Sequence, residues 1–173
     1  MEATTTTTTS DDDDEGDWVL LWRLRRRRVI GFFKAFVLDA HNILPKTVPQ
    51  NIQKIDIISG NGGPGTVYKV HFGAASHFKY MLHQTDAVDT QNLTYGYTVP
   101  EGDILRAVLE KITYDMKFEA NQDGGSIVKN KFTYYTKGDI KINEDQLRIG
   151  KDKVAGSYKG VEAYLVANPD AYN

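Results

Sequence analysis

The feature that most constrains this chain is an apolar stripe of helical spacing at its end. Leu147, Val154, Tyr158, Val161 and Leu165 recur at steps of seven, four, three and four, which is one face of an α-helix. Asn143, followed by Glu144 and Asp145, supplies a start and Pro169 a stop. A helix of about 25 residues, roughly 37 Å long, is predicted. A long helix with a single apolar stripe needs a concave apolar partner to cover it.

The preceding sequence supplies that partner. Tyr68, Val70 and Phe72 alternate with Lys69 and His71; Phe78, Tyr80 and Leu82 alternate with Lys79, Met81 and His83. The same period of two runs through Leu93–Val99, Ile112–Phe118 and Val128–Tyr134, and Ile52–Ser59 is rich in β-branched residues. Short turns, including Asp123-Gly124-Gly125, separate these runs. The pattern predicts an antiparallel meander with one face inward. Trp18, Leu20, Trp22 and Leu24 add a strand near the N-terminus. Gly31–Leu38 and His41–Leu44 read as two short helices, with Pro45 and Pro49 separating them from the strand at Ile52–Ser59. The predicted class is α+β: a curved antiparallel sheet wrapped around a C-terminal helix.

The 173 residues suffice for one domain with a sizeable core. Residues 1–16, with a threonine run and then Asp11–Asp14, carry too little apolar surface to order themselves and read as a disordered tail; residues 17–173 read as the domain. The tail lacks the basic-then-apolar pattern of a secretory signal, and no apolar run approaches the ~18 residues of a membrane span. No cysteine is present, which excludes disulfides and thiol catalysis, and the formal net charge of -2 argues against bulk nucleic-acid binding. A monomer is expected.

The predicted inward face is rich in tyrosine. Tyr68, Tyr80, Tyr95, Tyr97, Tyr114 and Tyr134 share their strand parity with Phe72, Phe78, Met116, Phe118 and Phe132. A solid core uses Leu, Ile and Phe at less cost, because a buried phenol needs a hydrogen-bond partner. Converging tyrosines suit an apolar cavity with a few polar anchors, and these residues are the expected lining. Asp39 and Tyr97 are expected as polar anchors. Lys69 and the loop Gly60, Asn61, Gly62, Gly63, Pro64, Gly65 are expected to guard an opening. That loop lacks the Lys-Ser/Thr pair of a phosphate-binding motif and opens no helix, so it reads as a turn. His41, His71, His77 and His83 show no metal-ligand spacing, with His71 and His83 on the outward parity; no metal or cofactor is expected.

Certain segments resemble the plant pathogenesis-related class-ten proteins, the family of the major birch-pollen allergen. They are FKAFVLD (33–39), GNGGPGT (60–66), FKY (78–80), LEKI (109–112), DGGS (123–126), YYTKGD (134–139) and EAYLVANPDAYN (162–173), in the family's order. The resemblance implies a helix-grip fold: a seven-stranded sheet, two short helices in a V and a long C-terminal helix over a large cavity. It implies cytoplasmic proteins tied to defence and stress that bind cytokinins, flavonoids, sterol-like molecules or fatty acids. It also implies a weak ribonuclease as an alternative, with RNA as partner and Glu110, Glu162 and Tyr164 as its residues. Abscisic-acid receptors share the fold and bring a further alternative, hormone-linked phosphatase inhibition; their gate and latch motifs are replaced here by Gly73-Ala74-Ala75-Ser76 and Pro100-Glu101-Gly102-Asp103. An alkaloid-forming subgroup carries a glutamate where Leu82 stands and a lysine on the next strand, which Asn92–Val99 lacks. The first 31 residues depart from the family pattern. Arg25–Arg28 read as a solvated turn, a nuclear address or an RNA contact, and the segment itself as a native first strand or the product of a shifted reading frame.

Overall fold

The computed structural model describes residues 15–24, 29–122, 125–141 and 144–173. Residues 1–14 of the expected tail, the arginine run 25–28, Asp123-Gly124 and Asn143 lie outside the described residues.

Seven strands form one antiparallel sheet: β1 (Glu15–Leu24), β2 (Ile52–Ser59), β3 (Val67–Phe72), β4 (Tyr80–Asp89), β5 (Thr94–Val99), β6 (Leu109–Ala120) and β7 (Ser126–Thr136). The order is β1-β7-β6-β5-β4-β3-β2, a meander from β2 to β7 with β1 closing the far edge. Strand β1 begins two residues before the expected domain boundary and pairs with β7 from Glu15↔Tyr135 to Leu24↔Ser126. Asn121 N–H donates to Gly125 O at 2.8 Å, which closes the β6–β7 hairpin. Register shifts in β2–β3, β4–β5 and β6–β7 break the ladders, and such bulges bend a sheet into a trough.

The trough holds α3 (Glu144–Ala167), whose 24 residues match the predicted length. Tyr158, Val161 and Leu165 are buried on the predicted face. Two short helical segments close one side. Helix α1 (Val29–Phe33) runs directly into a π-helical turn, Lys34–Leu38, and α2 (Ala40–Thr47) follows. Helix α2 runs through Pro45 instead of stopping there: the proline lacks only its own N–H bond, while Thr47 Oγ1 donates to Ile43 O at 2.8 Å and Val48 N–H to Leu44 O at 2.9 Å in the last turn.

The interior has two halves. Near the C-terminal half of α3 it is solid. The ring of Phe118 meets those of Phe33 at 5.1 Å and Phe32 at 6.0 Å, and Tyr158 meets Phe36 at 4.9 Å. Asn130, fully buried on β7, donates through Nδ2 to the Tyr158 hydroxyl at 2.8 Å. Beside Gly150, Lys153, Val154 and Ser157 of α3 the interior is hollow.

Candidate ligand cavity

The hollow half is a cavity of about 270 Å³, walled by strands β2 to β7, α2, α3 and the π-helical turn. One wall is a ladder of rings across four neighbouring strands. His83 on β4 stacks on Tyr97 of β5 at 3.9 Å and 7°, and Tyr97 stacks on Tyr114 of β6 at 4.4 Å and 10°. Tyr114 then meets Phe132 of β7 edge-on at 5.1 Å. The register makes the ladder: Tyr97 pairs with Tyr114, and Tyr114 with Phe132, so their side chains leave the sheet side by side on one face. Tyr68 meets His83 edge-on at 5.6 Å and continues the wall onto β3.

The ladder carries polar groups at one place. The Tyr95 hydroxyl lies 2.7 Å from His83 Nε2 and 3.1 Å from Thr85 Oγ1. A phenol is a better donor than acceptor, so the Tyr95 hydroxyl donates to Nε2 while Thr85 donates to the phenol oxygen. The His83 proton then sits on Nδ1, a donor with no protein partner among the described residues. Burial pushes the His83 pKa down to about 3, so the ring is neutral at physiological pH. Burial raises the phenol of Tyr134 to about 12 and those of Tyr97 and Tyr114 well above their ordinary value. All three remain protonated, and no hydrogen bond to protein engages their hydroxyls among the described residues. This wall of the cavity thus offers apolar ring faces and a few neutral hydrogen-bonding groups.

Of the predicted lining, Tyr68, Phe72, Phe78, Tyr95, Tyr97, Tyr114, Phe132 and Tyr134 stand in the cavity wall. Tyr80 does not. Its hydroxyl donates to Glu101 Oε1 at 3.0 Å on the outer face, where Lys69 Nζ lies 4.8 Å over its ring. The predicted parity of this strand is therefore reversed: Met81 and His83 face inward, because β4 pairs Val70 with Met81 and Tyr68 with His83. Phe78 reaches the cavity from the loop before the strand, so its agreement with Tyr80 in parity carries no structural meaning. Lys69 is accordingly no gatekeeper. Met116 is also displaced from the expected role: it is 3% exposed and packs in the solid half, where the phenylalanines of α1 fill the trough. Asp39 lies outside the wall and instead ties distant parts of the chain together, accepting from Asn42 Nδ2 at 2.7 Å and from the Tyr172 hydroxyl.

The glycine-rich loop turns β2 into β3 and spends its own donors. Gly62 N–H donates to Thr66 Oγ1 at 2.9 Å, Gly63 N–H to Asn61 Oδ1 at 3.1 Å and Gly65 N–H to Thr85 O at 2.8 Å. Gly60 has φ +98°, and a Cβ there would meet Thr66 backbone at 2.7 Å, so glycine is required for the turn. The loop does not line the cavity.

Glu110, Glu162 and Tyr164 are not gathered into a site. Glu110 is exposed at the start of β6, while Glu162 is buried near the end of α3. Tyr158 bonds Asn130, which pairs with Met116, so Glu162 sits level with the far end of β6. Tyr164 is engaged at the helix surface, where Lys46 Nζ donates to its hydroxyl at 3.2 Å. Among the described residues no group of His, Asp or Glu is placed to hold a metal.

Sequence reasoning missed His83, Met81, Arg106 and Lys153, all of which line the cavity. For His83 no local signal decided its face, because the register that sets it opposite the inward Tyr68 comes from the pairing of β4 with β3.

A curved sheet gripping one long helix, with a ring-walled hollow between them, defines a helix-grip ligand-binding fold. Residues 30–168 match the Pathogenesis-related protein Bet v 1 family, and the chain belongs to it. It is 53% identical over 141 residues to the major allergen Pru ar 1 of Prunus armeniaca, a match covering 82% of this chain and 88% of that protein. It is 48% identical over the same shares to the major allergen Mal d 1 of Malus domestica. The crystal structure of Ara h 8.0201 superposes with a TM-score of 0.78 at 37% identity, covering 88% of this chain and 99% of that one. A Thalictrum norcoclaurine synthase point mutant superposes at 0.70 with 14% identity, a likeness of fold alone, covering 98% of this chain and 100% of that one.

Proposed function

We propose that this protein is a carrier or buffer for a small apolar or aromatic molecule held in the internal cavity. One observation carries the reading: four stacked or edge-on rings form a continuous wall, and the hydroxyls of Tyr97 and Tyr114 on that wall have no protein partner among the described residues. Buried phenols are normally satisfied, so a wall of this kind is built to exchange hydrogen bonds with a guest. A flat ring system of cytokinin or flavonoid type extends the ladder; sterol-like and fatty-acid bodies use its apolar faces. The role goes with the defence- and stress-linked cytoplasmic setting that the family resemblance implies.

The test is displacement of the neutral dye N-phenyl-1-naphthylamine from the full chain by a panel of cytokinins, flavonoids, sterols and fatty acids. Saturable, competitive displacement at micromolar concentration or tighter is expected. A folded sample that binds no dye would mean that the rings pack the interior closed, and the reading would fall.

A further inference from the structure

Three cavity-lining residues from distant parts of the chain meet at one point of the rim. Phe78 comes from the β3–β4 loop, Arg106 from the turn after Asp103–Leu105, and Lys153 from α3. Arg106 Cζ lies 5.1 Å from the centre of the Phe78 ring and Lys153 Nζ lies 5.2 Å from it. The two charges are therefore within about 10 Å of each other. Arg106 is exposed and still lines the cavity, so the cavity reaches solvent beside it.

Neither cation is neutralised by a carboxylate among the described residues. Among the described residues the one hydrogen bond of Lys153 Nζ is a long 3.5 Å contact to Ser76 Oγ. Asp103, three residues before Arg106, is already committed, accepting from Lys79 N–H at 2.6 Å and Tyr80 N–H at 3.1 Å. The backbone adds a second observation. Arg106 adopts φ +51° and ψ −157°, a conformation that belongs almost entirely to glycine. A charged side chain is thus held at the rim by a backbone geometry that disfavours any side chain.

We propose that this rim selects organic acids: Arg106 and Lys153 hold the carboxylate of an amphipathic ligand whose apolar body lies along the tyrosine ladder. The inference rests on the carrier reading and narrows it to a ligand class. An aromatic body of two fused rings is in proportion to about 270 Å³. The ring of Phe78, with a cation near it, gives the acid a lipophilic threshold to cross while its head stays at the charged rim.

The test uses two probes with the same body, 1-naphthaleneacetate and its neutral analogue 1-naphthaleneacetamide, as displacers of N-phenyl-1-naphthylamine. The parent chain is compared with R106G, K153Q and the double variant. R106G places glycine in a conformation that suits it, so its unfolding midpoint is expected to be no lower than the parent's. In low salt the parent is expected to prefer the acid by about tenfold, a gap that screening narrows to about twofold at 0.5 M salt. The double variant is expected to show the narrow gap at every salt concentration. Taking the ratio of the two affinities cancels any loss common to both probes. Equal affinity for acid and amide in the parent, or an acid preference that survives the double substitution, overturns the inference while the carrier reading stands. Failure of the folded parent to bind the dye at all overturns the carrier reading, and the inference with it.

Discussion

Acid should destabilise this protein through His83, and the size of the effect can be worked out. The ring is stacked between Tyr97 and the remainder of the wall, and burial lowers its pKa to about 3 from an ordinary 6.5. In the unfolded chain it takes up a proton near pH 6.5; in the folded chain it does so only near pH 3. The unfolded state therefore binds more protons throughout that window, and stability falls as pH falls through it. At pH 7.5 the difference is negligible. At pH 4.5 the unfolded ring is almost fully charged and the folded ring neutral, which corresponds to up to about 2.7 kcal/mol lost. His83→Phe removes the titration and keeps a flat ring against Tyr97, while the Tyr95 hydroxyl retains Thr85 as a partner. Urea unfolding of both proteins at pH 7.5 and 4.5 isolates the contribution, since the carboxylates titrate alike in the two. The parent is expected to lose roughly 2 to 3 kcal/mol more than the variant. Equal pH dependence would show that His83 charges readily in the fold, and the account of a dry, neutral wall would be wrong.

Two further outcomes come from the way the interior is divided. Phe118→Ala removes a 2% exposed ring from the solid half, so a loss of about 3–5 kcal/mol in chemical denaturation is expected. Gly160→Ala would set a Cβ 2.6 Å from Val48 Cγ1, where α3 passes the end of α2. A net loss of about 1–2 kcal/mol is expected despite alanine's better helix propensity, with recovery in the Val48→Ala background.

The sequence by itself determined the kind of each element and the presence of a single interior. A period of two with short turns dictates an antiparallel meander, and the stripe Val154, Tyr158, Val161, Leu165 dictates a helix lying on it, because these periods express local backbone geometry. The tyrosines on β5, β6 and β7 were legible as inward-facing for the same reason. On β4 the period survived but its phase did not. Which alternate side chains face inward depends on where the strand joins its neighbour, and pairing with β3 turned Tyr80 outward and His83 inward. Nor does periodicity distinguish a ring that fills space from one that borders it: Tyr114 and Met116 share a strand face, yet Phe32 and Phe33 pack the trough beyond Met116, and the hollow begins at Tyr114. The charged rim was illegible for the strongest reason. Phe78, Arg106 and Lys153 are separated by long stretches of chain, and only the closing of the sheet around α3 brings them to one ring. Local sequence encodes direction along an element, whereas cavity shape and charge placement arise from contacts between elements, which tertiary packing alone decides.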